Sequence, residues 1–199
     1  MEPCIPTGGT APESHFTARL LGAAPSSAGE RVARAITTIA LAAVYGLALG
    51  ARDGGAALLS HAVGVPSAAL AIAILGLPAL YIVLSLSAAP VTLRQLVDAA
   101  AGAFAHAAMI LAGLAPAVAL FVTTSETATG ALVAGVAGLG FGGAVGLRYF
   151  LLQLSGALRD ATTQVKLVGV GATLVFSIFS VALASRVWVS TLSILGGVS

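Results

Sequence analysis

Charged positions divide this chain into long uncharged segments that are rich in Ala, Leu, Val and Ile. A helix needs about 20 apolar residues to cross the hydrocarbon core of a bilayer. The segments reach that length and lack the alternation of barrel strands, and backbone groups in lipid have to be bonded internally. The sequence therefore predicts an all-α, polytopic transmembrane bundle of about five spans, at residues 33–51, 66–88, 99–122, 129–150 and 166–185.

The least regular part of the pattern is the uncharged stretch that ends before Arg94, which is too long for one span. The residue before a proline avoids helix geometry, and a proline suits the first turn of a helix, so Pro66 is predicted to open the second span. Residues 56–63 would then form a short interfacial or re-entrant helix. The apolar residues after Arg186 either extend the fifth helix or lie at the interface, and six spans is the alternative count.

Local signals add detail to the predicted helices. Pro78 lies inside the second span and Pro116 inside the third. A proline in a helix interior removes a backbone hydrogen bond, so both are predicted to kink their helices. Thr92 is followed three residues later by Gln95, as in a capping box, which predicts a helix that begins there and leads into the third span.

Basic residues orient the bundle, because cytoplasmic loops carry an excess of Lys and Arg. With the N-terminus in the cytoplasm, seven basic residues fall inside and two outside. The inside residues are Arg19, Arg31, Arg34, Arg94, Arg148, Arg159 and Lys166, and the outside ones are Arg52 and Arg186. Residues 1–30, rich in Pro, Gly, Ser and Thr, are predicted to be a flexible polar tail, and residues 31–199 the transmembrane bundle.

Composition supports the membrane interpretation and excludes other classes of protein. Of the 199 residues, 58% are hydrophobic and 8% are charged, whereas soluble proteins have roughly 25% charged residues. The nine Lys and Arg residues are scattered, which argues against nucleic-acid binding. Cys4 is the only cysteine, so no disulfide within the chain and no cysteine-based metal site are expected. The low aromatic content and the lack of a targeting signal favour a bacterial cytoplasmic (inner) membrane.

Glycines predict where the helices pack, because small residues let membrane helices approach closely. Gly138, Gly142 and Gly146 recur every four residues and form two overlapping GxxxG units. Gly102 and Gly113 belong to a second stripe of small residues on the third span. The first stripe is predicted to contact another helix of the same chain, with a second copy of the chain as the alternative.

Three polar side chains are candidates for an intramembrane site. His106 lies inside the third span, where an ionisable group can carry a proton or bind a ligand. The alternative is a neutral histidine bonded to a Ser, a Thr or a carbonyl of a neighbouring helix. Arg148 either reaches the headgroups or pairs with Asp98. No nucleophile motif, phosphate loop or carboxylate pair accompanies them, so no enzyme activity, metal or cofactor is expected.

Three short features also match a known family. They are the run from Ser60 to Pro66, the run from Gly76 to Tyr81, and the turn Leu114-Ala115-Pro116. With the order of elements, they resemble the bacterial branch of the Yip-type membrane proteins over residues 31–185. The resemblance implies a polar cytoplasmic tail, about five tightly spaced helices, and a role in membrane organisation or trafficking through partner proteins, without catalysis. It supplies no site residues.

These features together predict a scaffold or accessory subunit of a membrane complex. Its partners would be the lipid bilayer and either a membrane protein or a second copy of the chain. The first alternative is a permease-type subunit, whose solute path would be lined by Pro78, Pro116 and the face of the third span that carries His106. The second alternative is an intramembrane enzyme that uses His106.

Overall fold

The computed structural model of the chain describes residues 28–52, 54–159 and 161–196, and these ranges form helices without any strand. The helices are α1 (Ala28–Gly50), α2 (Gly55–Leu86), α3 (Leu93–Thr124), α4 (Ala128–Ala157) and α5 (Thr163–Gly196). All five are long and apolar enough to cross a membrane, which confirms the prediction of an all-α bundle of five spans. The predicted tail lies outside the described residues, except for residues 28–30, which already belong to α1.

The prediction for the start of the second span is wrong. α2 is helical from Gly55 through Pro66, so residues 56–63 form its first turns and are not a separate piece. A break at this depth would expose several backbone groups to hydrocarbon, where each unpaired group is costly. A proline that stays inside the helix costs only its own missing bond and the crowding of one turn. The membrane environment therefore favours one long helix across Pro66.

The two predicted kinks fall in different local settings. Residues Ile72–Gly76 of α2 form a π-helical segment that ends just before Pro78. Pro78 has no N–H to donate to the preceding turn, and its ring crowds that turn, which a wider π turn accommodates. Pro116 lies within α3, which stays α-helical from Leu93 to Thr124.

The remaining helix ends follow from capping and from composition. The Thr92 side chain accepts a hydrogen bond from the Gln95 backbone N–H at 3.3 Å, and the Gln95 side chain accepts one from the Thr92 N–H at 2.9 Å. The predicted capping box is thus present at the start of α3. α5 continues past Arg186 to Gly196, so the apolar residues after Arg186 extend the fifth helix as far as the structure describes them.

The helices are arranged as two hairpins and a fifth helix. α1 packs against α2, and α3 packs against α4; α1 also packs against α3, which joins the hairpins. α5 packs mainly against α2, whereas α4 and α5 meet at few points. We call the end where α1, α3 and α5 begin the inner end, which is the predicted cytoplasmic side, and the other end the outer end.

Two hydrophobic cores stabilise this arrangement at different depths. The outer core joins α1, α2 and α3, and its largest members are Tyr45, Leu49, Val65, Leu111, Val118 and Val122. The inner core joins the second half of α2 to the start of α3 and the end of α4, and its largest members are Leu77, Leu80, Leu84, Leu96, Phe150, Leu154 and Leu158. Because the cores are separate, space remains between the helices at the depth where neither core fills the interior.

Candidate functional site

His106 is held between α3 and α4 by two contacts. Its Nδ1 lies 2.8 Å from the carbonyl oxygen of Gly102, one turn earlier on the same helix. A carbonyl oxygen can only accept, so Nδ1 carries a proton and donates it. The imidazole ring stacks on the Tyr149 ring of α4, with centroids 3.9 Å apart and 25° between the planes. The expected bond to a neighbouring helix is therefore replaced by a bond within α3 and a stacking contact with α4.

Tyr149 extends this polar cluster toward the inner end. Its hydroxyl accepts a hydrogen bond from the Gln153 side-chain amide at 3.1 Å. A Cβ atom at Gly102 would lie 2.6 Å from the Tyr149 ring, so the absence of a side chain there makes room for the tyrosine. Gly102 thus contacts a side chain of α4, whereas a close approach of two helix backbones was expected from the sequence.

The pair between Arg148 and Asp98, the alternative to an Arg148 side chain that reaches the headgroups, is not formed. The Asp98 carboxylate lies 3.9 Å from the Arg94 guanidinium, one turn earlier on α3. A neighbour at i−4 on the same helix face is the geometrically simplest partner for a carboxylate. Arg148 is exposed on α4. Asp98, Arg148 and His106 therefore do not form a common site.

The predicted glycine stripe of α4, Gly138, Gly142 and Gly146, lies against helices of the same chain. A Cβ atom at Gly138 would collide with the Tyr45 hydroxyl of α1. At Gly142 it would lie 2.8 Å from Leu111, and at Gly146 it would lie 2.9 Å from the carbonyl oxygen of Ala103, both on α3. These close approaches require glycine, because any side chain would push the helices apart.

Gly113 differs from the other predicted packing glycines. It is exposed, and a Cβ atom there would meet nothing within 4 Å. The prediction of helix packing at Gly113 is therefore wrong. α4 contacts α3 through Ala103, Ala107 and Leu111, and Gly113 is two residues past Leu111, on the opposite side of the helix.

The closest backbone contact of a glycine lies between α1 and α2, at glycines that were not among the predicted packing residues. A Cβ atom at Gly46 would collide with the carbonyl group of His61 and lie 2.8 Å from the Cα of Ala62. A Cβ atom at Gly50 would lie 2.6 Å from the Cα of Leu58. Gly46 and Gly50 are four residues apart, so the GxxxG spacing was the signal that could have identified them.

Tyr45 was also missed, and it links α1 to α4. Its side chain is fully buried, and its hydroxyl donates a hydrogen bond to the Gly135 carbonyl oxygen at 2.8 Å. A hydroxyl in an apolar interior needs such a partner. The signal in the sequence was a single tyrosine deep in an otherwise apolar span.

Replacing Tyr45 with phenylalanine is expected to destabilise the bundle by about 1 kcal/mol, because one interhelical hydrogen bond is lost while the ring is kept. The measurement is the midpoint of thermal unfolding of the purified protein in mild detergent. Tyr81→Phe is the control, since the Tyr81 hydroxyl forms no hydrogen bond within the described part of the chain. Equal midpoints for the two variants would show that the Tyr45 bond contributes nothing measurable.

A cleft, here called the outer cleft, separates α4 from α5 and has a volume of about 640 Å³. At its inner boundary the rings of Phe150 and Phe176 lie 5.9 Å apart, and Phe176 fills the space left by Gly76. Beyond these contacts the two helices separate. The lining of the cleft includes Gly140, Gly143 and Ala144 on α4 and Ser177, Ser180 and Ala184 on α5, and residues of α1, α2 and α3 also contribute to it.

A second cleft, here called the inner cleft, has a volume of about 760 Å³ and lies between the first half of α1 and the helices α2, α3 and α4. Arg31 and Arg34 line it on α1, and Tyr149 and Gln153 line it on α4. Neither cleft is lined by Pro78, Pro116 or His106. Of the face of α3 that carries His106, Gly102 lines the inner cleft, but the predicted solute path as a whole coincides with neither cleft.

The described residues contain no group of three or more His, Cys, Asp or Glu side chains that could hold a metal ion. Comparison of the chain with protein families, with curated proteins and with solved structures found no match in any of the three. The Yip-type resemblance stays a prediction. What the structure defines is a class, the helical membrane proteins with five candidate spans.

Proposed function

We propose that this chain is a non-catalytic scaffold or accessory subunit of a complex in a bacterial cytoplasmic membrane, and that a transmembrane helix of a partner protein fills the outer cleft. The observation that carries the proposal is the outer cleft itself. Its two walls belong to consecutive helices that could have packed together and yet remain apart beyond Phe176. A role in membrane organisation, as the Yip-type resemblance implies, would use such a surface.

The walls of the outer cleft suit a helix better than they suit a polar solute. A Cβ atom at Gly140 or Gly143 would meet nothing within 4 Å, so a neighbouring backbone can come close to α4 there. On α5, the hydroxyls of Ser177 and Ser180 donate to carbonyl oxygens of their own helix at 2.7 Å. These parts of α4 and α5 therefore present small residues, and the hydroxyl protons of the two serines are already bonded.

Site-specific crosslinking in the native membrane tests this proposal. A photo-reactive amino acid at Ser180, inside the outer cleft, is expected to give one discrete adduct with a partner protein or a second copy of the chain. The same group at Ile178 is the control, because Ile178 is 72% exposed on α5 and does not line the cleft. The readout is the mass and identity of the adduct after purification.

The result at Ile178 decides how an adduct at Ser180 is interpreted. A protein adduct formed at Ser180 and at most weakly at Ile178 supports a helix in the cleft. Equal labelling at both positions would indicate contact by chance in a crowded membrane, and the helix-docking proposal would then fail. Lipid adducts alone at Ser180 would also contradict it.

A permease-type subunit is the second candidate, and one observation favours it. The two clefts share lining residues between the two cores, among them Thr38, Ala69 and Phe104. The same residues thus border open space in both clefts. The shared wall is apolar apart from Thr38, whose hydroxyl donates to the Arg34 carbonyl at 2.8 Å. Such a path would suit an apolar or amphiphilic solute, and recovery of the chain without any protein adduct would favour this function.

A further inference from the structure

The inner cleft exists because α1 leaves the bundle toward its first residue. The side chains of α1 become buried only from Ala42 onward, and its earlier residues are exposed or half-buried. The opposite walls are formed by the middle of α2, the first turns of α3 and the end of α4. The mouth of the resulting space lies at the inner end, beside the first turns of α1 and α3.

The polarity of the inner cleft is graded. Near its mouth it is lined by Arg31, Arg34, Gln95 and Gln153. Deeper, the lining consists of apolar residues such as Ala69 and Phe104. An apolar space of this size that opens to a bilayer is filled more favourably by hydrocarbon than by water. The graded walls therefore match an amphiphile with its polar group at the mouth and its chain inside.

The positive charge at the mouth of the inner cleft favours a negatively charged polar group. Arg31 and Arg34 are three residues apart on α1, so they share a face of the helix. Asp98 also lines the cleft, but its charge is compensated by Arg94 at 3.9 Å. The described charged side chains near the inner end are six basic ones and two acidic ones, namely Arg31, Arg34, Arg94, Arg148, Arg159 and Lys166 against Glu30 and Asp98. A guanidinium binds a phosphate oxygen pair well, so an anionic headgroup is favoured.

From these observations we infer that the inner cleft is a binding site for an anionic phospholipid. The phosphate contacts Arg31 and Arg34, and one acyl chain lies between α1 and α3, against Ala69 and Phe104. Arg31 and Arg34 do not line the outer cleft, so the headgroup contacts are separate from the proposed partner helix, although Ala69 and Phe104 line both clefts.

Native mass spectrometry of the purified full chain in mild detergent tests the assignment. The probes are phosphatidylglycerol and phosphatidylcholine with identical acyl chains. We expect one tightly bound phosphatidylglycerol per chain and weaker binding of phosphatidylcholine. In the double variant Arg31→Gln/Arg34→Gln, the affinity for phosphatidylglycerol should fall by roughly thirtyfold, while that for phosphatidylcholine stays unchanged.

Two further variants separate the contributions of charge and of the apolar space. Arg159→Gln removes an exposed positive charge near the inner end outside the cleft, and binding should stay within about twofold of the original. Ala101→Phe starts from an exposed position of α3 that lines the cleft, and it should weaken the binding of both lipids. Millimolar inorganic phosphate should not displace the bound lipid.

Four results would overturn the assignment. The first is an equal affinity of the chain for the two lipids. The second is an equal loss in Arg159→Gln and in the double variant, which would indicate only the overall positive charge of the inner end. The third is displacement of the lipid by inorganic phosphate alone. The fourth is a full chain that binds no lipid.

Discussion

Replacing Gly46 with alanine is expected to destabilise the bundle by about 3 kcal/mol, the upper part of the usual range for overpacking. The new methyl group would collide with the His61 carbonyl and with the Cα of Ala62. These are backbone atoms of α2, so they cannot turn away as a side chain can. α1 and α2 would have to separate, and the contact between Gly50 and Leu58 would open with them. The measurement is the midpoint of thermal unfolding in mild detergent, together with the folded yield from membranes.

Gly113→Ala is the matched control for this substitution. It makes the same chemical change in another span, at a position where a Cβ atom meets nothing within 4 Å. Alanine is the better helix former, so the control should keep or slightly raise the unfolding midpoint. Equal midpoints for Gly46→Ala and the original protein would show that α1 and α2 do not make this contact.

The spans could be predicted from the sequence because the bilayer imposes its thickness on each helix. Charged residues such as Arg94 and Lys166 lie close to helix starts, so they indicate the helix ends within a few residues. The error at Pro66 arose from a rule for proline that describes helices in water. Water can pair the backbone groups freed by a break, whereas hydrocarbon cannot, and the helix continues.

The packing faces could be predicted only in part. Four-residue spacing identifies residues that share a helix face, and it does so equally for Gly138 to Gly146 and for the overlooked pair Gly46 and Gly50. The spacing does not indicate over what length a neighbouring helix stays in contact with that face. This is why Gly102 meets a side chain of α4 while Gly113, three turns later, meets nothing.

The two clefts lay beyond sequence analysis for a related reason. Each cleft is defined by helices that do not touch, and this depends on where Phe176 stops the approach of α5 and where α1 leaves the outer core. The residues that line them, such as Ala69 and Ser180, are of the same types as those at lipid-facing positions. His106 attracted attention as an ionisable group in a span, yet its ring lies between α3 and α4 and does not line either cleft.

Gly142→Leu is expected to destabilise the bundle strongly and Gly143→Leu hardly at all, although the two positions are adjacent on α4. Gly142 is buried, and a Cβ atom there would lie 2.8 Å from Leu111 and 3.4 Å from the Ala107 carbonyl oxygen. A leucine would force α3 and α4 apart and destabilise the bundle by about 3 kcal/mol. Gly143 is exposed with open space at its Cβ position, so a leucine there should leave the free energy of unfolding within about 0.5 kcal/mol of the original.

The same pair of variants separates folding from assembly. The leucine at position 143 projects into the outer cleft, so Gly143→Leu should remain folded and yet lose the protein adduct formed from Ser180. A folded Gly143→Leu variant that still forms the adduct would mean that the partner helix does not enter the cleft. Loss of folding in Gly143→Leu would instead contradict the open space on this face of α4. Only a stable protein without the adduct supports both the packing of α4 on α3 and the use of its other face for a partner.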